Sequence, residues 1–138
     1  MRRTLTGDFR AHPLRPGRTA GLSSWHLATG EPTGPDIYLT GVDAHAAEML
    51  RDGRYGAVDL EWLPDGVRLT LRSSVETRVV QTQGAVLHEP LGRLYEALPL
   101  EHLDPAARRF WRRVFRLVRI PGGRHLLKLI ARGARASK

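Results

Sequence analysis

A chain of 138 residues, 41% apolar and 26% charged, has the material for one ordinary folded domain and excludes collagen-like or wholly disordered classes. It contains no cysteine, which rules out disulfides, thiolate metal sites and a thiol nucleophile. The net charge of +8 is sorted by position: residues 104–138 carry nine Arg and two Lys against Asp104 alone, residues 1–18 carry five Arg against Asp8, and residues 19–103 carry six Arg against twelve acids.

Arg outnumbers Lys twenty to two and Asn is absent, as a GC-rich genome would write any protein. The choice of Arg over Lys therefore says little. The clustering says more, because codon bias does not sort charge along a chain. No apolar run follows Met1-Arg2-Arg3, and no segment reaches the roughly 18 apolar residues of a spanning helix. The expected location is the cytoplasm.

Residues 1–20, with Pro13 and Pro16 among scattered Arg and Gly, read as a basic arm, extended or disordered. Residues 21–138 read as a single domain. Leu22 to Ala28 is a first strand with Trp25 and Leu27 on one face, and Gly30 to Pro35 is a loop. Asp36 to Val42 is a second strand. Asp43 then caps a short helix from Ala44 to Arg51, which Gly53 ends. Ala57 to Trp62 alternates with period two, Pro64-Asp65-Gly66 is turn chemistry, and Val67 to Arg72 alternates again, which predicts a hairpin with one wet face. Val75 to Leu87 supplies another strand or two, with Val79, Val80, Val86 and Leu87 as core candidates and Gly84 at a bulge or turn. After Pro90, Leu91 to Leu98 reads as a short helix.

Asp104-Pro105 opens a predicted helix over 104–120. At about 100° per residue, Phe110, Trp111, Val114, Leu117 and Val118 gather on one side, and Arg108, Arg109, Arg112, Arg113, Arg116 and Arg119 on the other. Pro121-Gly122-Gly123 breaks it. A second helix is predicted over 124–136, apolar at Leu126, Leu127 and Ile130 and basic at Arg124, Lys128, Arg132 and Arg135. Strands first and helices last predict an α+β domain: a mainly antiparallel sheet covered by C-terminal amphipathic helices.

The ordinary meaning of such helices is a solvated basic face over a core-packing stripe, with some arginines paired to the acidic middle of the chain. A functional meaning is a non-catalytic binding or accessory module whose anion-binding face is Arg108, Arg109, Arg112, Arg113, Arg116, Arg119, Arg124, Lys128 and Arg132. Its partner would be a nucleic-acid backbone, an anionic membrane surface or an acidic protein. Asn is absent, and the only glutamines, Gln81 and Gln83, lie away from these helices, so nucleic-acid contact would be phosphate-led and sequence-tolerant.

Catalytic signals are scattered. His45 and Glu48 share a predicted helix face, but one helix gives too few ligands, and His26 or His88 would have to complete a metal site. No metal and no cofactor is expected. Asp59 and Glu61 share a strand face, which suits a solvated surface opposite Arg68 and Arg72 better than an acid–base pair. His88-Glu89 and His102 have no motif around them. Ser23-Ser24 and Ser73-Ser74 lack a nucleophile-elbow frame, and no phosphate loop or dinucleotide fingerprint is present. The alternative to a binding module is a small enzyme or small-molecule-binding protein, with a pocket between sheet and helices lined by Trp25, Tyr38, Trp62 and nearby histidines.

Overall fold

A computed structural model describes residues 2–19, 22–31, 34–89, 94–97 and 105–118. Eight strands form one antiparallel sheet: β1 (Arg2–Thr19), β2 (Leu22–Ala28), β3 (Asp36–Val42), β4 (Arg54–Leu63), β5 (Gly66–Arg72), β6 (Thr77–Thr82), β7 (Gly84–His88) and β8 (Leu94–Ala97). Two helices accompany them, α1 (Ala44–Leu50) and α2 (Pro105–Val118). The spatial order is β6-β5-β4-β1-β2-β3-β7-β8.

Two long runs change partners halfway and shape the whole sheet. The N-terminal half of β1 pairs with β4 (Arg3 opposite Leu60), its C-terminal half pairs with β2 (His12 opposite His26), and Arg10 faces both. β6 and β7 form a second bent run, split only at Gln83, with Val80 opposite Leu69 of β5 and Val86 opposite Tyr38 of β3. The sheet therefore returns on itself as a barrel-like ring, with β8 a spur beside β7. At this corner the Gln83 N–H donates to the Gly41 carbonyl (3.3 Å). Gly41 has φ +71°, and a Cβ there would lie 2.4 Å from the Gln83 side chain, so only glycine fits the corner without strain.

Leu5 and Phe9 (β1), Trp25 and Leu27 (β2), Ile37 and Leu39 (β3), Val58 and Leu60 (β4), Val67, Leu69 and Leu71 (β5), Val80 (β6), and Ala85 and Leu87 (β7) are buried in one cluster. Alternation dictates this: Leu60 faces Leu69, and Val58 faces Leu71. Helix α1 covers part of the core with Ala46 and Leu50. Asp43 caps it by accepting the Ala46 N–H (2.8 Å). At its other end the Met49 carbonyl accepts from the Tyr55 hydroxyl (2.8 Å) and from Arg78 (2.6 Å). Burial holds the Tyr55 hydroxyl above its usual range, with the Arg78 charge opposing the shift. Leu60→Ala is expected to lower stability by about 2–5 kcal/mol in a urea melt, because Leu60 is fully buried at the centre of this cluster.

Several expectations are overturned. The α+β class fails: the described chain is mostly antiparallel sheet with two short helices, and no pair of amphipathic helices covers the sheet. Residues read as an arm are a central strand. Pro13 is accommodated opposite Trp25, and a register irregularity lies between Leu14 and Thr19. Within the stretch read as a helix after Pro90, Leu94–Ala97 is β8, drawn into the sheet by pairing with β7; tertiary pairing here overrides local propensity. Val79 points outward and is 51% exposed, because Val80 and Thr82 take the inward positions of β6. The hairpin of β4 and β5, the cap at Asp43 and the shared face of Trp25 and Leu27 agree with the sequence. The second C-terminal helix, 124–136, lies outside the described residues. Among the described residues no helix is long and apolar enough to cross a membrane.

Candidate functional site

The ring has two outer faces of different character. Over β1, β4 and β5 the outward charged residues pair with one another, three arginines on two carboxylates. Arg68 and Arg2 reach Glu61 (2.8 and 3.7 Å), and Arg72 reaches Asp59 (2.8 Å). Asp59 and Glu61 are thus committed to arginines on one wet face, as the alternation predicts.

The outer face of β1, β2, β3 and β7 is different, since α2 packs against β1 there and its Trp111 reaches Tyr38 of β3. His12, His26, Tyr38 and Val86 stand directly opposite one another across four strands, and Ala28, Asp36 and His88 form the neighbouring row. His26 Nε2 lies 3.1 Å from Asp36 Oδ1, with both side chains 2% exposed or less. Tyr38 stacks flat on the His26 ring, centroids 4.5 Å apart, and the His12 ring is 6.4 Å from His26. Trp111 of α2 sits edge-on to Tyr38 at 6.2 Å, fully buried, and half-buried Phe110 lies edge-on to Trp111.

A His–Asp pair can orient a general base. Here both side chains are buried, with Tyr38 stacked on His26 and Trp111 edge-on to Tyr38. His26 and Asp36 pair with each other within this buried row, and Trp111 of α2 meets the row at Tyr38. His26, Asp36 and Tyr38 sit opposite the inward residues Trp25, Leu27, Ile37 and Leu39, so alternation alone reads them as a wet face. Their burial depends on a helix about 70 residues further along the chain.

Helix α2 carries five arginines. Arg108 is half-buried, and Arg109, Arg112, Arg113 and Arg116 are exposed. Arg119, Arg124, Lys128 and Arg132 lie outside the described residues. At helical pitch the four exposed arginines occupy an arc of about 100° and about 10 Å of axis, on the side away from Trp111. None of these four has an ion-pair partner among the described residues. The sheet arginines behave otherwise. Arg2, Arg3, Arg10, Arg54, Arg68, Arg72 and Arg78 each pair with an acid, as does Arg51 at the end of α1. Five acids of the acidic middle, Glu48, Asp59, Glu61, Glu76 and Glu89, are held by these arginines, and none of the five pairs with the four on α2 among the described residues.

The remaining candidates disperse. Trp25 is buried in the core, with its Nε1 donating to Ser23 Oγ (2.9 Å), while Tyr38 lies on the opposite face of the sheet. Trp62 is half-buried against the core. His45 and Glu48 are exposed on α1, and Glu48 pairs with Arg51 (3.2 Å). Glu89 pairs with Arg3. A shallow cleft of about 310 Å³ lies between α1 and β5–β6, lined by Asp43, His45, Met49, Arg68, Val79 and Gln81. It is remote from the expected pocket between sheet and C-terminal helices. Among the described residues no group of three or more His, Asp or Glu could hold a metal ion. Comparison with known protein families, curated proteins and solved structures finds no match.

Proposed function

We propose that this chain is a non-catalytic, cytoplasmic binding module whose arginine-rich helix face contacts a polyanionic partner. One observation carries the reading: the strand arginines whose side chains are described each pair with an acid, and the four exposed arginines of α2 have no ion-pair partner among the described residues. Arg109 and Arg113, like Arg112 and Arg116, stand at i,i+4, where like charges repel by a few tenths of a kcal/mol per pair. A polyanion would offset that repulsion. The buried apolar cluster and the burial of the His26–Asp36 pair support a surface role over a pocket role.

The test is elution from an anionic heparin resin. Wild type is expected to need more salt than a variant with Gln at Arg109, Arg112, Arg113 and Arg116. Gln at Arg68 and Arg72, a smaller loss of charge from an ion-paired face, is expected to shift elution little. Equal shifts per charge removed would mean that the resin reads only net charge, and the module reading would fall.

A further inference from the structure

Resting on the polyanion reading, we infer that the partner of α2 is double-stranded nucleic acid, held by its phosphates on both sides of a groove. Three features of α2 select this partner over a membrane or an acidic protein.

The first is where its apolar side goes. A helix that binds a bilayer buries its apolar face about 5–10 Å into the headgroup region. Trp111, the large apolar residue opposite the arginines, is fully buried and in edge contact with Tyr38 of the sheet. The helix cannot give that face to lipid without leaving its seat.

The second is what the exposed arc lacks. Protein interfaces rely on aromatic or aliphatic anchors that fill a partner's pocket, inside a polar rim. The arc of Arg109, Arg112, Arg113 and Arg116 holds charge and no such anchor.

The third is the match of dimensions. Duplex DNA presents one phosphate charge per about 1.7 Å of axis, so about 10 Å of arginine face meets about six charges. Its major groove, about 12 Å wide, admits a helix, and guanidinium groups spread over about 100° reach both walls. Helix α2 has no Asn, Gln, Ser or Thr, so its contacts are phosphate-led and positioning rather than base-specifying.

The experiment uses the full chain and fluorescence anisotropy at about 50 and about 200 mM salt. The probes are two labelled duplexes of unrelated sequence, a single strand, labelled phosphatidylserine vesicles and labelled polyglutamate. Both duplexes are expected to bind equally within about twofold, with a slope of log K against log salt of about −3 to −4, close to −0.9 for each of four contacts. The single strand is expected to bind more weakly and with a shallower slope, close to −0.7 per contact. Gln at the four arginines should lower the slope by about one for each residue replaced. Lys at the same positions should retain it, because an ammonium still meets a phosphate as a point charge. Unchanged melting temperatures for both variants establish that the fold is intact. If vesicles or polyglutamate bind as tightly as the duplexes, this inference fails while the polyanion reading stands. If no probe binds at the higher salt, both fail together.

Discussion

Trp111→Ala is expected to lower the unfolding free energy by about 3–5 kcal/mol, the range for truncating a large buried aromatic. Trp111 is fully buried between α2 and the sheet, and its ring edge meets Tyr38, which in turn lies flat on His26. Removing the indole opens a void that Tyr38 cannot fill without unstacking from the histidine. The arginine face should suffer too, because its orientation is inherited from this seat, so the salt needed to release the variant from heparin should fall even though no charge is lost. Trp111→Phe is the informative partner. The indole Nε1 has no acceptor among the described residues, so a phenyl ring removes a buried donor as well as volume. Its expected loss is under about 1.5 kcal/mol, within the range of mild core substitutions. A denaturant melt in which Trp111→Ala loses less than about 1 kcal/mol would show that α2 is not seated this way.

The second large effect is at the other side of the ring. Arg3, on β1, donates to Glu89, which follows β7, across 86 residues of sequence. The Glu89 side chain is 7% exposed and that of Arg3 33%. Arg3→Met alone is expected to lose about 3 kcal/mol, the low end for breaking a buried pair, because the arginine is partly solvated. Most of this is the penalty of leaving a buried carboxylate without its cation. Adding Glu89→Leu should therefore restore most of the loss, since matched apolar replacement of a buried pair is often neutral or stabilising. Equal stabilities for the single and double variants would show that Arg3 acts through packing rather than charge.

Several strands of the ring are legible in the sequence, but its closure is not. Period-two alternation located β4 and β5, their turn and the inward set from Val58 to Leu71, because one face of that hairpin is apolar and the other charged. β1 was hidden because prolines and arginines mask its alternation, and its stability comes from two partner strands rather than local propensity. β8 was hidden because Leu94–Ala97 has no strong strand signal of its own and is a strand by pairing with β7. The arginine face was legible as a charge cluster. Its lack of neutralisation was not, since which acids reach which arginines is decided by strand register. The seat formed by His26, Asp36 and Tyr38 was illegible for a related reason: polar residues on one strand face look the same whether water or a distant helix covers them.

The two partner-switching runs also impose an order of events on a chain made from its N-terminus at about 5–20 residues per second. The C-terminal half of β1 can zip onto β2 as soon as residue 28 emerges. Its N-terminal half must wait for β4, some 30 residues and a few seconds later, since Arg3 pairs with Leu60. Closure waits longer still, until the run from Thr77 to His88 bridges β5 to β3. Before β4 arrives, a half-built ribbon shows bare backbone along Arg2–Thr6, an edge open to strangers. The arginines at positions 2 and 3 stand along that same stretch, where charge discourages a second nascent copy from adding its own strand.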